Sequence, residues 1–168
     1  MEILELINNG SRKLKNKNIC TYNLDSEILL SKALNKTREE LLINLNQRIE
    51  PSKINYFNRL IHRRSSREPI AYILKEKEFW SKKFFLDNNT LIPRPETELM
   101  VEKIVKIFKE KDISVLDIGT GTGCILLSIL SELKNSKGIG IDISSKAIQI
   151  ANTNSKDHKL TQRTKFYK

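Results

Sequence analysis

Over the first 74 residues the hydrophobic positions fall at helical spacing. Ile3, Leu4, Leu6, Ile7 and Leu14 form one stripe, and Leu24, Ile28, Leu29, Ala33 and Leu34 form a second. Thr37 and Glu40 make a T-x-x-E capping box ahead of Leu41, Leu42 and Leu45, in which each side chain takes the other residue's backbone N–H. Pro51 suits the first turn of a fourth helix, where its missing N–H is no loss, and Ile54, Phe57, Leu60 and Ile61 share one side of that helix. No glycine occurs between Gly10 and Gly119, which leaves few sites for hairpin turns in this half. The pattern predicts an α-helical bundle over residues 1–74.

From Leu74 the pattern changes. Glu78, Phe79 and Trp80, then Lys83, Phe84, Phe85 and Leu86, flank a polar Ser-Lys pair and predict two short strands, a β-hairpin linker over residues 75–92. Asp87, Asn88 and Asn89 read as a turn. Leu91, Ile92, Pro93, Arg94 and Pro95 must run extended, because each proline disfavours helix in the residue before it. A helix follows, with Thr97 as candidate cap and Leu99, Met100, Ile104, Ile107 and Phe108 as its apolar positions.

Residues 113–123 read I-S-V-L-D-I-G-T-G-T-G. An apolar run rich in β-branched residues enters three glycines at alternate positions, which predicts a buried parallel strand ending in a tight turn. Cys124, Ile125, Leu126, Ile129, Leu130 and Leu133 then return to helical spacing. A second strand, residues 138–141, ends at Asp142. Ser144 suits the cap of a helix carrying Ala147, Ile148 and Ala151, and residues 164–167 begin a third strand. Residues 93–168 are therefore read as α/β.

The glycines bring chemistry. They let backbone approach a ligand where a Cβ would clash, and the helix that follows offers unpaired N–H groups. The dinucleotide fingerprint G-x-G-x-x-G needs glycine at position 124, where Cys124 stands, and no lysine follows as a phosphate-binding G-x-x-x-x-G-K-[ST] loop requires. What remains is an acid, Asp117, two residues before Gly119, Gly121 and Gly123, and a second acid, Asp142, at about the ~20-residue spacing of a nucleoside-binding βαβ unit. A carboxylate at the end of the second strand can accept hydrogen bonds from both hydroxyls of a ribose. An acid ahead of the loop is the pattern of S-adenosylmethionine (AdoMet) sites, where the ligand carries a cationic sulfonium and no phosphate. The competing reading is a glycine turn in a generic α/β unit.

The chain has 168 residues, of which 39% are hydrophobic and 30% charged, a globular composition that fits one or two domains. Its net charge of +10 suggests an acidic partner, such as nucleic acid, a ribosome or an acidic protein face, or else a solvated basic surface. The cluster of His62, Arg63, Arg64 and Arg67 has the same two readings, a partner contact or a solvated helix end. The longest apolar run, residues 124–130, is too short to span a bilayer. The N-terminus carries no signal-peptide pattern, so the cytoplasm is the default compartment. Cys20 and Cys124 offer neither a disulfide framework nor metal spacing, and no metal site is expected. Cys124 reads as a small buried residue, while His62 and His158 read as surface residues.

An ordered set of residues carries a resemblance. Arg67, Pro69 and Tyr72, then Phe79, then L-I-P-R-P-E-T-E at positions 91–98, then V-L-D-I-G-T-G-T-G at 115–123, then Asp142, resemble the PrmC/HemK family of release factor N5-glutamine methyltransferases. Segments of the first half, Asp25 to Leu30 and Thr37-Arg38, are also similar to that family. The resemblance implies an α-helical domain that helps bind a peptide chain release factor, a β-hairpin linker, and a Rossmann-like class I AdoMet-dependent methyltransferase domain, here residues 93–168 as its N-terminal part. Members transfer a methyl group from AdoMet to the side-chain amide nitrogen of the glutamine in the GGQ loop of release factors. Carried over by position, Gly119, Thr120, Gly121, Thr122 and Gly123 would border the methionine part of AdoMet. Asp142 would bind the ribose, and Asp117 would orient the loop or approach the methionine ammonium. Pro93, Arg94, Pro95 and Glu96 would lie beside the substrate pocket, with no chemical step assigned to them.

The sequence departs from the family at one point. Its catalytic N-P-P-Y signature is absent, and the four prolines (Pro51, Pro69, Pro93 and Pro95) all precede the glycine loop. An amide nitrogen is a poor nucleophile because its lone pair is delocalised, and in the family the asparagine and a backbone carbonyl of that motif aim it at the methyl group. No catalytic residue is therefore assigned. The strand at 113–118 is expected to present an unpaired apolar edge where a further strand docks in complete members. The expectation is a truncated product or gene fragment, inactive alone, with a separate chain as the candidate source of the missing half. Two other readings stand beside it. One is a non-catalytic release-factor-binding module. The other is a remnant of a nucleic-acid amino-methyltransferase, against which the LIPRPETE octet argues.

Overall fold

The computed structural model describes residues 1–168 and divides into two compact units, Met1–Leu74 and Lys75–Lys168.

The first unit is all helical: α1 (Ile3–Lys15), α2 (Tyr22–Leu34), α3 (Arg38–Ile43), α4 (Pro51–Ser65) and α5 (Ile70–Leu74). The capping box at α3 forms: the Glu40 amide donates to Thr37 Oγ1 at 3.2 Å and the Thr37 amide to Glu40 Oε2 at 2.7 Å. Pro51 opens α4. The core is built from Ile3, Leu6, Leu14, Leu29, Leu30, Leu41, Phe57 and Ile61, all buried. Leu4, Leu24 and Leu42, expected on the apolar stripes, are exposed at the stripe margins. Leu30, outside the expected stripe, is buried because α2 packs against both α1 and α4 and so buries a wider face than one stripe provides.

The basic cluster is corrected in part. Arg64 is no solvated helix end: its Nε donates to Asp25 Oδ2 at 2.6 Å, and its Nη1 to the Glu68 carbonyl at 3.1 Å. Asp25 is buried and also accepts from the Thr21 hydroxyl at 2.9 Å. Arg63 pairs with Glu68, which holds the Glu68 carboxyl below the usual carboxylate range. Removing one partner of a buried ion pair costs about 3–5 kcal/mol, so Asp25–Arg64 ties α2 to α4.

The second unit begins with a hairpin, β1 (Glu76–Phe79) and β2 (Lys82–Phe85), paired antiparallel with Glu76 opposite Phe85. Trp80 and Ser81 form its two-residue turn, both at positive φ (52° and 54°), as the right-handed twist of hairpin strands favours. Phe79 and Phe84 are buried, edge to face at 6.2 Å. The turn at 87–90 forms as read, with the Thr90 amide donating to the Asp87 carbonyl at 3.2 Å and the Asn89 amide to Asp87 Oδ1 at 2.8 Å. A 3₁₀ turn, Pro95–Thr97, leads directly into α6 (Glu98–Phe108). Thr97 therefore has helical dihedrals and its side chain makes no cap. The Glu98 carboxylate instead accepts from the Trp80 amide at 2.9 Å. The buried side of α6 is also rotated from expectation. Val101 is buried, and Ile104, Val105 and Phe108 pack with it, while Leu99, Met100 and Ile107 are exposed.

Three parallel strands follow, β3 (Ser114–Ile118), β4 (Lys137–Ile141) and β5 (Thr164–Tyr167), in the order β3-β4-β5. Right-handed crossovers are the rule for such units, and here α7 (Cys124–Glu132) and α8 (Ser145–Asp157) make the two connections. The Ser144 hydroxyl caps α8 by accepting from the Ala147 amide. β3 is an edge strand with β4 as its one neighbour, as the sequence leads one to expect. It is not a strand buried on both faces, however: Leu116 is 59% and Ile118 76% exposed. The reason is pleat. Val115 and Asp117 share the helix-covered side, and the alternate residues Leu116 and Ile118 face the uncovered one.

His158 is a further correction. Its ring lies 4.6 Å from that of Phe84, its Nε2 is buried without a hydrogen-bond partner, and burial pushes its pKa down, assisted by Lys82. It is a packing residue behind the hairpin. No helix is long and apolar enough to cross a membrane.

Candidate functional site

The site lies where β3 and β4 end. Residues 119–123 leave β3 in a turn whose three glycines all have positive φ (77°, 54° and 77°), the left-handed region that a side chain rarely tolerates. The Ile141 carbonyl at the end of β4 accepts from both the Gly119 and Thr120 amides at 2.9 Å, so the loop is sewn across the strand ends. A Cβ on Gly119 would meet nothing within 4 Å, and one on Gly121 only the Gly119 carbonyl at 3.9 Å, so both glycines border open space. Gly123 is different: a Cβ there would press on Leu127 at 3.2 Å and Ala151 at 3.4 Å, so this glycine serves packing.

Two carboxylates frame the loop. Asp142 Oδ2 accepts from the Gly121 amide and its Oδ1 from the Ser144 amide, both at 2.9 Å. The second strand's acid is thus locked against the glycine loop of the first. Asp117 Oδ2 accepts from the Thr120 hydroxyl at 2.7 Å. Burial pushes the Asp117 carboxyl above its ordinary value, against the hydrogen bonds from Thr120 and the Leu126 backbone, and the neighbouring Asp142 charge adds to the rise. Asp117 makes no ion pair. The result is a desolvated anion beside an open loop, a setting that favours a cation.

The structure brings Asp117, Gly119, Thr120, Gly121 and Asp142 together. Thr120 and Thr122 are buried, so their side chains serve the loop's own structure, and Thr122 Oγ1 accepts from the Cys124 amide at 3.3 Å. Cys124 is buried, and desolvation pushes its thiol to about 11, which removes it as a nucleophile at neutral pH. In the 91–98 octet, Pro93 is buried while Arg94, Pro95 and Glu96 are exposed. Neither Arg94 nor Glu96 makes an ion pair, and no hydrogen bond joins them to the loop. One buried residue that sequence reasoning passed over, Asn154, does bond to the loop, through the Thr122 carbonyl. Its signal was faint: an asparagine on the apolar side of α8, in step with Ala147 and Ala151.

Residues 5–74 match the PrmC N-terminal domain, and residues 109–168 match a methyltransferase domain. A release factor glutamine methyltransferase of Buchnera aphidicola subsp. Baizongia pistaciae is 43% identical over 161 residues, which cover 95% of this chain and 58% of that protein. A bifunctional methyltransferase of Rickettsia typhi is 35% identical over 180 residues, covering 96% of this chain and 35% of that protein. Among solved structures, human methyltransferase 10 domain containing protein superimposes at a TM-score of 0.44 with 20% identity, covering 51% of this chain and 44% of that one. The chain thus spans between about a third and three fifths of the length of these curated relatives. The matches bear out the resemblance to the PrmC/HemK family over nearly the whole chain, a PrmC N-terminal domain at residues 5–74 with methyltransferase sequence at 109–168.

Proposed function

We propose that the loop at 119–123, with Asp117 and Asp142, is an AdoMet site, and that the chain belongs to the machinery that methylates the GGQ glutamine of peptide chain release factors. The observation that carries this reading is the pair of carboxylates around an open glycine loop at the carboxyl ends of adjacent parallel strands, where ligands of α/β sheets bind. The residues present suit AdoMet. Asp117 is a desolvated carboxylate without a cationic partner, which an ammonium or sulfonium charge would complement. Gly119 and Gly121 leave room for a ligand against the backbone. Asp142, fixed by two backbone N–H groups, keeps free lone pairs for a ribose diol.

When bound, AdoMet supplies a methyl group made electrophilic by its sulfonium. The chain's own residues would bind and orient. Asp142 would hold the nucleoside end, Asp117 with Thr120 the charged end, and residues 93–96 would stand toward the substrate. The N-P-P-Y motif that aims the amide nitrogen in the family does not occur in residues 1–168, so the alignment of the nucleophile is assigned to none of these residues. The helical unit, residues 1–74, is the release-factor-binding domain, followed by the linker at 75–92 and the methyltransferase part at 93–168.

The test is isothermal titration of the purified chain with AdoMet, with Asp142→Ala in parallel. Saturable binding to the wild type that the variant loses by at least about tenfold supports the site. Equal binding by both, or none by a folded wild type, refutes it.

A further inference from the structure

Asn154 is fully enclosed, at 1% exposure, on the side of α8 that meets the rest of the unit. All the hydrogen-bonding capacity its amide normally uses is taken by backbone. Nδ2 donates to the Thr122 carbonyl at 2.8 Å and to the Phe85 carbonyl at 2.9 Å, and Oδ1 accepts from the Phe85 amide at 2.7 Å. Toward Phe85 the side chain therefore acts as a neighbouring strand would, satisfying both the N–H and the C=O of the last residue of β2. Toward the loop it holds the peptide that joins Thr122 to Gly123. That peptide follows directly on Gly121, whose amide holds Asp142. One turn earlier on α8, Ala151 lies where Gly123 has no room for a side chain.

We propose that Asn154 is the positioning residue of the cofactor loop, a single side chain that fixes the Thr122–Gly123 peptide and the end of the hairpin to each other. It does not border the open space above the loop and would not touch a ligand. Its effect on binding passes through the loop's geometry. The inference rests on the AdoMet reading for its consequence in affinity, and on hydrogen-bond geometry alone for its consequence in loop order. No other common side chain reproduces the bond set. Aspartate keeps the acceptor for the Phe85 amide but sets a charge against two carbonyls, and serine is too short to span them.

The experiment compares Asn154→Asp with Ser155→Ala on the full chain. Ser155 is the next residue of α8, buried, and its hydroxyl pairs with that of Thr164 at 2.7 Å, away from the loop. It reports what a buried hydrogen-bond loss in this helix does by itself. Hydrogen exchange of the amides at 84–86 and 119–124 is read together with AdoMet titration. The expected result is that Asn154→Asp speeds exchange in both segments at once and weakens AdoMet by at least about tenfold, while Ser155→Ala stays within about twofold in both readouts. If the loop amides of Asn154→Asp exchange like those of Ser155→Ala, or AdoMet binds it as it binds wild type, the proposal is overturned. If Asn154→Asp does not fold, Asn154→Ser takes its place under the same criteria. A wild type that binds no AdoMet refutes the cofactor reading, and the exchange comparison still decides the role of Asn154.

Discussion

Ile118 is the last residue of an edge strand, and 76% of it is open to solvent. Replacing it with lysine separates two views of β3. About a quarter of the side chain is covered, and full burial of an isoleucine is worth about 1.5–3 kcal/mol, so the lost burial comes to about 0.5 kcal/mol. Lysine's weaker strand preference adds a few tenths. The total stays under about 1 kcal/mol, a fall in Tm of no more than about 4–8 °C for a unit of this size. The gain is at the edge itself. An unpaired apolar strand invites a second copy to pair with it, and an inserted charge is one of the ways natural sheets prevent that. Sedimentation velocity over a concentration series should show self-association in the wild type and a monomer in Ile118→Lys, with thermal melts nearly superimposed. A core isoleucine exchanged for lysine would instead bury a charge and unfold the unit. A Tm lower by more than about 15 °C, or unchanged self-association, would refute the open edge.

Acid should weaken the second unit through His158. Its folded pKa lies below 6.5, so the unfolded chain takes up the proton first; the contribution is complete above about pH 6.5 and is lost as pH falls from there toward the folded value. Melts at pH 7.5 and 5.5 should therefore separate more for wild type than for His158→Gln, and equal shifts would contradict the burial. Thiol titration with a disulfide reagent at pH 8 should consume one cysteine, the exposed Cys20, at once, and the second only in denaturant, since Cys124 is buried and its thiol is pushed to about 11. Rapid reaction of both would mean that α7 is not packed as described.

What was legible in the sequence is what depends on neighbours in the chain. The Thr37–Glu40 box, the Ser144 cap, the Asp87 turn and the hairpin are each encoded within a few residues, and each forms. The acid–glycine spacing placed Asp117 and Asp142 at one site because a βαβ unit brings consecutive strand ends together. The failures share another cause. Arg64 finds Asp25 across 39 positions, and Asn154 finds Phe85 across 69, so neither partner can be read from local pattern. His158 looked polar by its neighbours and is half-buried against Phe84, which lies on the hairpin, with its Nε2 enclosed. Thr97 has the right residue type for a cap, but the 3₁₀ turn ahead of it already carries the chain into helical dihedrals. In α6, spacing alone could not say which of several apolar residues meet α7; Leu99 and Ile107 fit a stripe that nothing covers.

The hairpin turn has a practical side. Trp80 is the chain's one tryptophan, and its indole N–H donates to Glu132 at the end of α7 at 2.9 Å. Intrinsic fluorescence excited at the red edge of the protein band is then a private channel of the second unit, silent about the helical bundle. Far-ultraviolet circular dichroism, by contrast, sums helices from both. Unfolding curves recorded by the two methods on one sample will coincide only if the units melt together, so a single unlabelled chain carries its own means of telling whether the helical unit stands when the glycine-loop unit falls.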